Sequence, residues 1–172
     1  MCDWYVLHVR TGKESEVVGS LARHLPHCKT MVPRRIMKER KNGRWKSIVR
    51  ELFPGYVFVH TDMDAAMYYK LDGIPSVIKI LGNDKGPQPV PENEMAHILW
   101  LHGSGDPLGI SELHLEGGKI TVISGPLAGM EGQIIRVDPR RQRAKVNISL
   151  MGQPRIIELS INAITKSEPR QC

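Results

Sequence analysis

The stretch SGPLAGMEGQ, residues 124–133, carries three glycines, the residue type that lets a backbone loop close around a phosphate group. A phosphate-binding P-loop needs Lys and then Ser or Thr directly after its last glycine, because these side chains hold the phosphates and magnesium. Here Gln133 follows Gly132, and a β-rich segment stands where a dinucleotide-binding motif would open a helix. The spacing therefore predicts a turn between two strands, with Pro126 fixing one φ angle, and not a nucleotide site.

Other arrangements that could support catalysis or metal binding are incomplete. His24, His27 and Cys28 lie close in sequence, but no fourth ligand stands at a spacing typical of a zinc site. The sequence has no His-Glu-x-x-His motif, no paired-carboxylate motif and no Ser or Cys in the context of an activated nucleophile. We therefore predict a protein that is not an enzyme and that uses no metal or other cofactor.

The charge of the chain favours a polyanionic partner. Its 172 residues include 24 Lys and Arg against 18 Asp and Glu, and the isoelectric point is near 9.4. Such a balance is typical of proteins that bind nucleic acid or an anionic surface, although a basic surface without a partner is the alternative. The sequence shows no apolar run of membrane-spanning length and no secretory signal. Three cysteines without short spacing fit a reducing compartment, so we expect a cytoplasmic protein with no membrane partner.

The first hundred residues mix helical and strand patterns, which predicts an α+β domain. Thr11 and Glu14 have the spacing of a helix capping box. Asn42-Gly43 divides a very basic segment, and this pair supplies the two positive φ angles of a type I′ hairpin turn. The predicted strands are 4–9, 55–60 and 76–81, the predicted hairpin is 34–50, and the predicted helices are 11–25, 64–71 and Pro91 to Gly103.

After a stretch rich in Gly, Pro and Ser at 103–109, the pattern changes to short β segments. The segments are KITVIS, GQIIRVD, RAKVNISL and RIIELSI. Within RAKVNISL, apolar and polar residues alternate, so that one face of the strand is buried. Short alternating strands joined by turns predict a small barrel. We predict one domain at 1–102, a linker at 103–113 and a second domain at 114–172.

Three segments together resemble a known family. WYVLHVRTGKE (4–14) and LFPGYVFV (52–59) are similar to the two signature segments of the NusG N-terminal domain. KITVISGPLAGMEGQIIRVDPRRQRAKV (119–146) closely resembles the KOW motif. The resemblance covers nearly the whole chain. It implies an N-terminal α+β domain, with an antiparallel four-stranded sheet flanked by helices, followed by an all-β SH3-like KOW barrel, and it implies a monomeric transcription elongation factor.

The resemblance also implies a docking surface for RNA polymerase on the N-terminal domain. In the family an apolar concavity binds the clamp helices of the polymerase. The matching residues in this sequence are Trp4, Tyr5, Phe53, Pro54 and Tyr56. Aromatic residues are scarce in this chain, so their clustering suits anchoring contacts, with Phe53 and Tyr56 as the expected anchors. The alternative is that these side chains belong to the core.

Basic and aromatic residues form three groups of candidate nucleic-acid contacts. The hairpin group is Arg34, Arg35 and Lys38, for which a solvated charged face is the alternative. The resemblance brings Tyr68 and Tyr69 near the non-template DNA strand, where they could stack on bases or pack on the sheet. The KOW group is Arg136, Arg140, Arg141, Arg143, Lys145, Arg155 and Lys166. If this last group converges on one barrel face, it forms an RNA-binding surface, because arginine pairs with phosphates and guanine edges.

Two departures from the family pattern shape the functional hypothesis. General members often carry Phe in the KOW Gly-Pro loop, on the surface that meets Rho or a small-subunit ribosomal protein. This chain has Leu127 and Met130 there, so those two proteins are weak candidate partners. General members are also commonly less basic. Both features resemble the specialised antiterminator paralogs, particularly the LoaP type.

We therefore predict a processive antitermination factor that binds RNA polymerase, suppresses pausing and termination, and is recruited to particular operons by an RNA hairpin in the leader transcript. A general elongation factor that couples polymerase to Rho or the ribosome is the main alternative. A ribosome-associated RNA-binding protein that uses the KOW domain alone is a third hypothesis, which the aromatic N-terminal segments disfavour.

Overall fold

The structure, a computed structural model, describes residues 1–165 of the chain. Its first elements are β1 (Asp3–Val9), α1 (Glu14–His24), β2 (Lys29–Met31), β3 (Arg34–Lys41), β4 (Arg44–Glu51), β5 (Tyr56–Thr61), α2 (Ala65–Asp72), β6 (Val77–Ile80), β7 (Gly82–Asn83), β8 (Gly86–Pro87) and α3 (Glu92–Gly103). The later elements are β9 (Ser111–Glu116), β10 (Lys119–Ser124), β11 (Ile134–Asp138), β12 (Arg143–Leu150) and β13 (Gln153–Thr165), with a 3-10 turn at Glu131–Gln133. The predicted fold class, α+β followed by an all-β barrel, is confirmed.

A four-stranded antiparallel sheet in the order β2-β5-β1-β6 organises the N-terminal part. Because side chains alternate between the two faces of a strand, Leu7 and Val9 of β1 lie on the same face. They form a buried core with Val17 and Leu21 of α1 and with Leu71 of α2. The helices therefore cover one face of this sheet, and the flanking of the sheet by helices agrees with what the resemblance implies.

The predicted capping box at the start of α1 is wrong. The helix begins at Glu14, and the residue before it, Lys13, makes no side-chain cap. The buried Glu14 carboxylate instead accepts hydrogen bonds from the backbone N–H groups of Gly12, at 3.0 Å, and of Gly55, at 2.8 Å. Glu14 thus ties the start of α1 to the Phe53–Tyr56 loop, a contact across 41 residues that local sequence does not reveal.

The basic hairpin forms as predicted. Strands β3 and β4 pair with each other, and Asn42 and Gly43 between them have φ angles of 52° and 75°. Positive φ at both central residues is the requirement of a type I′ turn, which Asn-Gly satisfies at low steric cost. The turn residues and most of β4 are exposed, so the hairpin presents its charges to solvent.

The C-terminal strands form a five-stranded sheet in the order β10-β9-β13-β12-β11. The alternation predicted for RAKVNISL is confirmed, because Ala144, Val146, Ile148 and Leu150 are fully buried while Lys145 is exposed. Sequence analysis missed strand β9, which begins inside the predicted linker and pairs with β10 and β13. The sheet has the curled arrangement expected of a KOW barrel.

The glycine-rich stretch is a turn, as predicted. Gly125 has φ +99°, and a Cβ atom added there would lie 2.5 Å from Ser111 Cα. The backbone N–H of Leu127 donates to the Ser111 hydroxyl at 3.0 Å, which holds the turn against the start of β9. The side chains of Leu127 and Met130 are buried, so the loop packs inward and forms no phosphate cradle.

Contacts divide the described chain into two compact units that do not follow chain order. The first comprises Met1–Val32, Glu51–Ala96 and Leu150–Gln153, and the second comprises Pro33–Arg50, His97–Ser149 and residues 154–165. Hairpin β3–β4 therefore belongs to the same unit as most of the five-stranded sheet. The domain bounds proposed from the sequence, 1–102, 103–113 and 114–172, describe sequence modules and stay a prediction.

Candidate nucleic-acid interface

The basic hairpin is hydrogen-bonded to the barrel within the second unit. The backbone N–H of Lys38 donates to the Ser160 hydroxyl at 2.9 Å, and Arg143 Nη2 donates to the Lys38 carbonyl at 3.2 Å. Arg35 Nη1 donates to the Glu158 carbonyl at 2.6 Å. These bonds join β3 to β12 and β13, and they fix one edge of the hairpin beside the turn between β11 and β12.

Two of the predicted nucleic-acid contacts hold this arrangement together. Arg143 makes an ion pair with Glu158, at 3.1 Å between Nη1 and Oε2, and its side chain is only 18% exposed. Burial lowers the pKa of the Arg35 guanidinium, the nearby Glu158 carboxylate opposes this shift, and Arg143 and Arg50 add to it. Both arginines are partly desolvated and already have protein partners, so they position the hairpin and offer few free donors to a ligand.

Between the hairpin and the β11–β12 turn lies an open cleft of about 380 Å³. We call it the basic cleft; its lining residues are Lys38, Glu39, Arg40, Trp45, Arg140, Arg141 and Arg143. Arg40, Arg140 and Arg141 are exposed, and Glu39 is the single acid among the described residues that line the cleft. The cleft therefore concentrates positive charge in a concave site, which is the electrostatic setting that attracts a phosphate backbone.

The β11–β12 turn is built to present its two arginines. Asp138 Oδ1 accepts hydrogen bonds from the backbone N–H groups of Arg140, at 3.1 Å, and Arg141, at 3.2 Å. In this Asx-type contact the Asp138 carboxylate is hydrogen-bonded to the backbone of the turn, and both guanidinium groups remain in solvent. The sequence Asp138-Pro139-Arg140-Arg141 is typical of a turn, and the chain forms one between β11 and β12.

A smaller hollow of about 160 Å³ adjoins the basic cleft. Its lining residues are Arg136, Asp138, Arg141, Arg143, Lys145 and Glu158. Arg141 and Arg143 line both cavities, and Arg136 and Lys145 are exposed. The structure thus brings five of the seven predicted KOW residues, Arg136, Arg140, Arg141, Arg143 and Lys145, to one continuous basic surface.

Two other predicted residues, Arg34 and Arg155, lie elsewhere, and a third is not among the described residues. Arg34 makes an ion pair with Asp106, at 3.3 Å between Nε and Oδ1, and it does not line the cleft. Arg155 is half-buried on β13 and lines neither cavity. Lys166 lies outside the described residues. Nucleic-acid binding by these three residues stays a prediction.

Tyr68 and Tyr69 lie on α2, in the first unit. The predicted helix at 64–71 is present, and Asp64 caps it by accepting from the backbone N–H of Met67 at 2.7 Å. The two rings contact each other edge to face, 5.4 Å apart, and Tyr69 is 72% exposed. Tyr69 therefore offers a ring face to solvent, and base stacking by this pair stays a prediction.

The candidate polymerase-binding residues divide by burial. Tyr5 and Phe53 are buried, and the Phe53 ring packs edge to face on Phe58 at 5.8 Å. Burial raises the pKa of the Tyr5 hydroxyl, and the charges of Asp3 and Asp62 raise it further. In this structure Tyr5 and Phe53 are therefore core residues, and their binding to polymerase stays a prediction.

The other three candidates keep accessible surface. Pro54 is exposed, and Trp4 and Tyr56 are half-exposed. Trp4 packs on His60 with ring centroids 4.9 Å apart, and Tyr56 stacks on His8 at 5.4 Å. Strand alternation puts Trp4 and His8 on the face of β1 opposite to the helix-covered one. Docking of polymerase on this face stays a prediction.

Sequence reasoning missed the residues that complete the basic cleft. Trp45 is 50% exposed on β4, and a tryptophan inside a basic run was an available signal. Arg40 lies in the basic segment around Asn42-Gly43 but is not among the three predicted contacts of the hairpin. Glu158 and Ser160 have no local sequence signal, because their importance comes from a hairpin more than a hundred residues away.

The His, Cys, Asp and Glu side chains of residues 1–165 bear on metal binding, and the helices of the same range bear on membrane spanning. No group of three or more His, Cys, Asp or Glu side chains in this range is arranged to hold a metal ion. Cys28 instead contacts Thr61 Oγ1 at 3.5 Å and Met67 Sδ at 4.0 Å. None of the described helices is both long enough and apolar enough to cross a membrane.

Two family models match the chain, in the order of its sheet-and-helix part and its barrel. The model described as "Transcription termination factor nusG" matches residues 2–99, and the model of the KOW motif matches residues 116–148. The first match covers more than half of the chain. The chain belongs to the NusG family.

Individual relatives agree over nearly the full length. The chain is 27% identical to the transcription termination/antitermination protein NusG of Helicobacter pylori strain J99, over 96% of this chain and 99% of that protein. It is 29% identical to the NusG of Escherichia coli K12, over 95% and 96%. A solved structure described as "Domain interaction in Thermotoga maritima NusG" is similar with a TM-score of 0.61 at 27% identity, covering 93% of this chain and 94% of that one.

These findings confirm the predicted NusG-family membership and the two predicted modules. NusG-family proteins are transcription elongation and termination factors and not enzymes, so the chain is a factor of this kind. The relatives carry one general name, which does not separate a specialised antiterminator from a general elongation factor.

Proposed function

We propose that this chain is a processive antitermination factor that binds RNA polymerase and is recruited to particular operons through an RNA hairpin in the leader transcript. The observation that carries the proposal is the basic cleft. Its exposed arginines come from the hairpin and from the β11–β12 turn, and they meet beside a second basic hollow. A concave surface of this charge is suited to an RNA backbone.

The N-terminal sheet would provide the polymerase contact. Trp4, Pro54 and Tyr56 supply accessible apolar and aromatic surface, and large aromatic side chains are common anchors of protein interfaces. Binding to the clamp helices would stabilise the elongating conformation of polymerase, because the factor would bind that conformation preferentially. This is a shift in the population of polymerase conformations and requires no chemical reaction. Tyr69, exposed on α2, is a candidate contact for the non-template DNA strand.

The KOW loop favours the specialised function over the general one. Leu127 and Met130 are buried, so neither offers an apolar anchor to Rho or to a ribosomal protein. The general elongation factor remains the second candidate, because the full-length relatives carry the general NusG name.

RNA binding tests the proposal directly. A pool of hairpin RNAs with randomised stems and loops is selected against the full chain, and the enriched hairpin is compared with an unrelated hairpin of equal length. We expect the enriched hairpin to bind about a hundred-fold or more tightly than the unrelated one near physiological salt. The double variant Arg140→Ala, Arg141→Ala should bind the enriched hairpin about ten-fold or more weakly. The slope of the logarithm of the binding constant against the logarithm of salt concentration should fall in magnitude by about 1.4, since each phosphate contact on a single strand contributes about 0.7.

A matched variant controls for net charge. Lys70→Ala with Lys79→Ala removes the same charge from exposed positions in the first unit, and it should change hairpin affinity less than about two-fold at physiological salt. Equal affinity for all RNAs, or equal loss in the two double variants, would contradict recognition by the basic cleft. A chain that enriches no hairpin would contradict the proposed recruitment altogether.

A further inference from the structure

We infer that the basic cleft holds one unpaired nucleotide of the RNA, with its base stacked on Trp45 and its flanking phosphates on Arg140 and Arg141. The inference rests on the proposed RNA-binding function and specifies what part of an RNA the cleft binds. It assigns to Trp45 a role that neither the KOW strands nor the polymerase-docking face accounts for.

Trp45 is an unusual residue to leave in solvent. It lies two positions after the hairpin turn, its side chain is 50% exposed, and it lines the cleft next to Arg40. An indole exposed among arginines contributes less to folding than a buried one, because about half of its surface remains in water. The same arrangement, an aromatic face within a positively charged groove, is the one that binds single-stranded nucleic acid.

The size of the cleft limits what it can take. Its volume, about 380 Å³, lies near the lower end of the range of roughly 300–1,000 Å³ typical of small-molecule sites. A paired and stacked duplex cannot insert one of its bases into such a site, whereas a bulged or looped-out nucleotide can. The cleft is thus suited to a single unpaired residue and not to a helical stem.

The polar residues favour RNA over DNA. The guanidinium groups of Arg140 and Arg141 are free to pair with the phosphates on either side of the base. Glu39, the acid of the cleft, pairs through Oε1 with Arg50 at 3.5 Å, and its carboxylate can also accept a hydrogen bond from a ribose 2′-OH, a donor that deoxyribose lacks.

The two walls of the cleft are fixed before any ligand binds. The Lys38–Ser160, Arg143–Lys38 and Arg35–Glu158 hydrogen bonds join the wall that carries Trp45 to the wall that carries the turn arginines. A site whose walls are already joined loses less conformational entropy on binding. Base stacking in this cleft should therefore contribute its full effect to affinity.

The test compares two labelled RNAs of equal length and base composition, a hairpin with a single-adenosine bulge and a fully paired, blunt-ended duplex. Fluorescence anisotropy with the full chain should show the bulged RNA binding about ten-fold or more tightly. Trp45→Ala should abolish most of that preference and leave duplex affinity within about two-fold. Trp45→Phe should retain most of the preference, because a phenyl ring still stacks.

Two controls accompany this test, one for the exposed apolar surface of β4 and one for the choice of RNA over DNA. Val49→Ala removes an equally exposed apolar side chain from the same strand, outside the cleft, and should leave the preference unchanged. The DNA hairpin with the same bulge should bind more weakly than the RNA, and equal binding would overturn the assignment of RNA. Thermal unfolding of each variant confirms that the hairpin has not been disrupted.

The failure of this inference is distinguishable from the failure of the proposed function. If RNA binds with an affinity that depends on Arg140 and Arg141, but neither the bulge nor Trp45 changes that affinity, the assignment of the nucleotide site is wrong and the RNA-binding function stands. If no RNA binds above the level of the Arg140→Ala, Arg141→Ala variant, both are wrong.

Discussion

Tyr56 is the residue through which the polymerase-docking proposal can be tested with least disturbance to the fold. It ends the Phe53–Tyr56 loop, and its ring stacks on His8 with centroids 5.4 Å apart and an interplanar angle of 24°. Phe53 is a poorer choice because it is 4% exposed and packs on Phe58, so its truncation would act through the core.

Tyr56→Ala should weaken binding to core RNA polymerase about 5- to 30-fold, the loss expected when an aromatic anchor of an interface is truncated. Tyr56→Phe should bind nearly as well, since it keeps the ring that stacks on His8. The measurement is a titration of labelled protein with polymerase from the source organism, after circular dichroism has shown that both variants are folded. Unchanged binding by Tyr56→Ala would exclude this face as the docking surface.

The arginines of this chain show what residue identity does and does not predict. Composition predicted a polyanionic partner, the KOW turn was its predicted site, and Arg140 and Arg141 are exposed there. Identity alone did not separate these two from Arg35 and Arg143, which are partly buried and hold the hairpin on the barrel. The difference depends on Glu158, whose position relative to the hairpin is fixed only in the folded chain.

At the scale of elements, the Gly-Pro loop is a point where geometry demands one residue type. Gly125 has φ +99°, and an added Cβ would lie 2.5 Å from Ser111 Cα and 2.9 Å from the Ile110 carbonyl oxygen. Both neighbours are backbone atoms, so they cannot move aside as a flexible side chain would. Gly132, in the same stretch, has open space around its position.

Gly125→Ala should therefore lower the free energy of unfolding by about 2–5 kcal/mol, from left-handed backbone strain together with steric overlap. Gly132→Ala should change it by less than about 0.5 kcal/mol. Urea denaturation of the full chain, followed by circular dichroism, gives both values. Similar stabilities for the two variants would show that the loop does not pack against β9 as described.

Periodicity predicted most elements because it reports local burial. Strand β12 follows its alternating pattern along its whole length, and α1 buries Val17 and Leu21 as its apolar stripe indicated. Strand β9 was missed because its segment follows a linker-like stretch and its parallel partner, β13, lies far along the chain. The prediction of a capping box was wrong for a related reason, since the Glu14 carboxylate accepts a hydrogen bond from the backbone of a distant loop.

At the scale of the molecule, the chain uses one hairpin from its N-terminal part to complete a site on its C-terminal barrel. The basic cleft requires β3, β4 and the β11–β12 turn together, all within the second unit. Sequence analysis identified both basic segments and the family, but it treated the segments as separate sites, because nothing in local sequence encodes their contact.

The most direct test of the account is a genome-wide map of where this protein lies on transcribed DNA, measured beside a map of RNA polymerase and repeated with the Arg140→Ala, Arg141→Ala variant. We predict occupancy confined to a few transcription units, beginning downstream of their leader regions, and lost in the variant while polymerase occupancy upstream is retained. Occupancy that follows polymerase across the genome, and that is equal in the variant, would contradict recruitment by RNA and identify a general elongation factor.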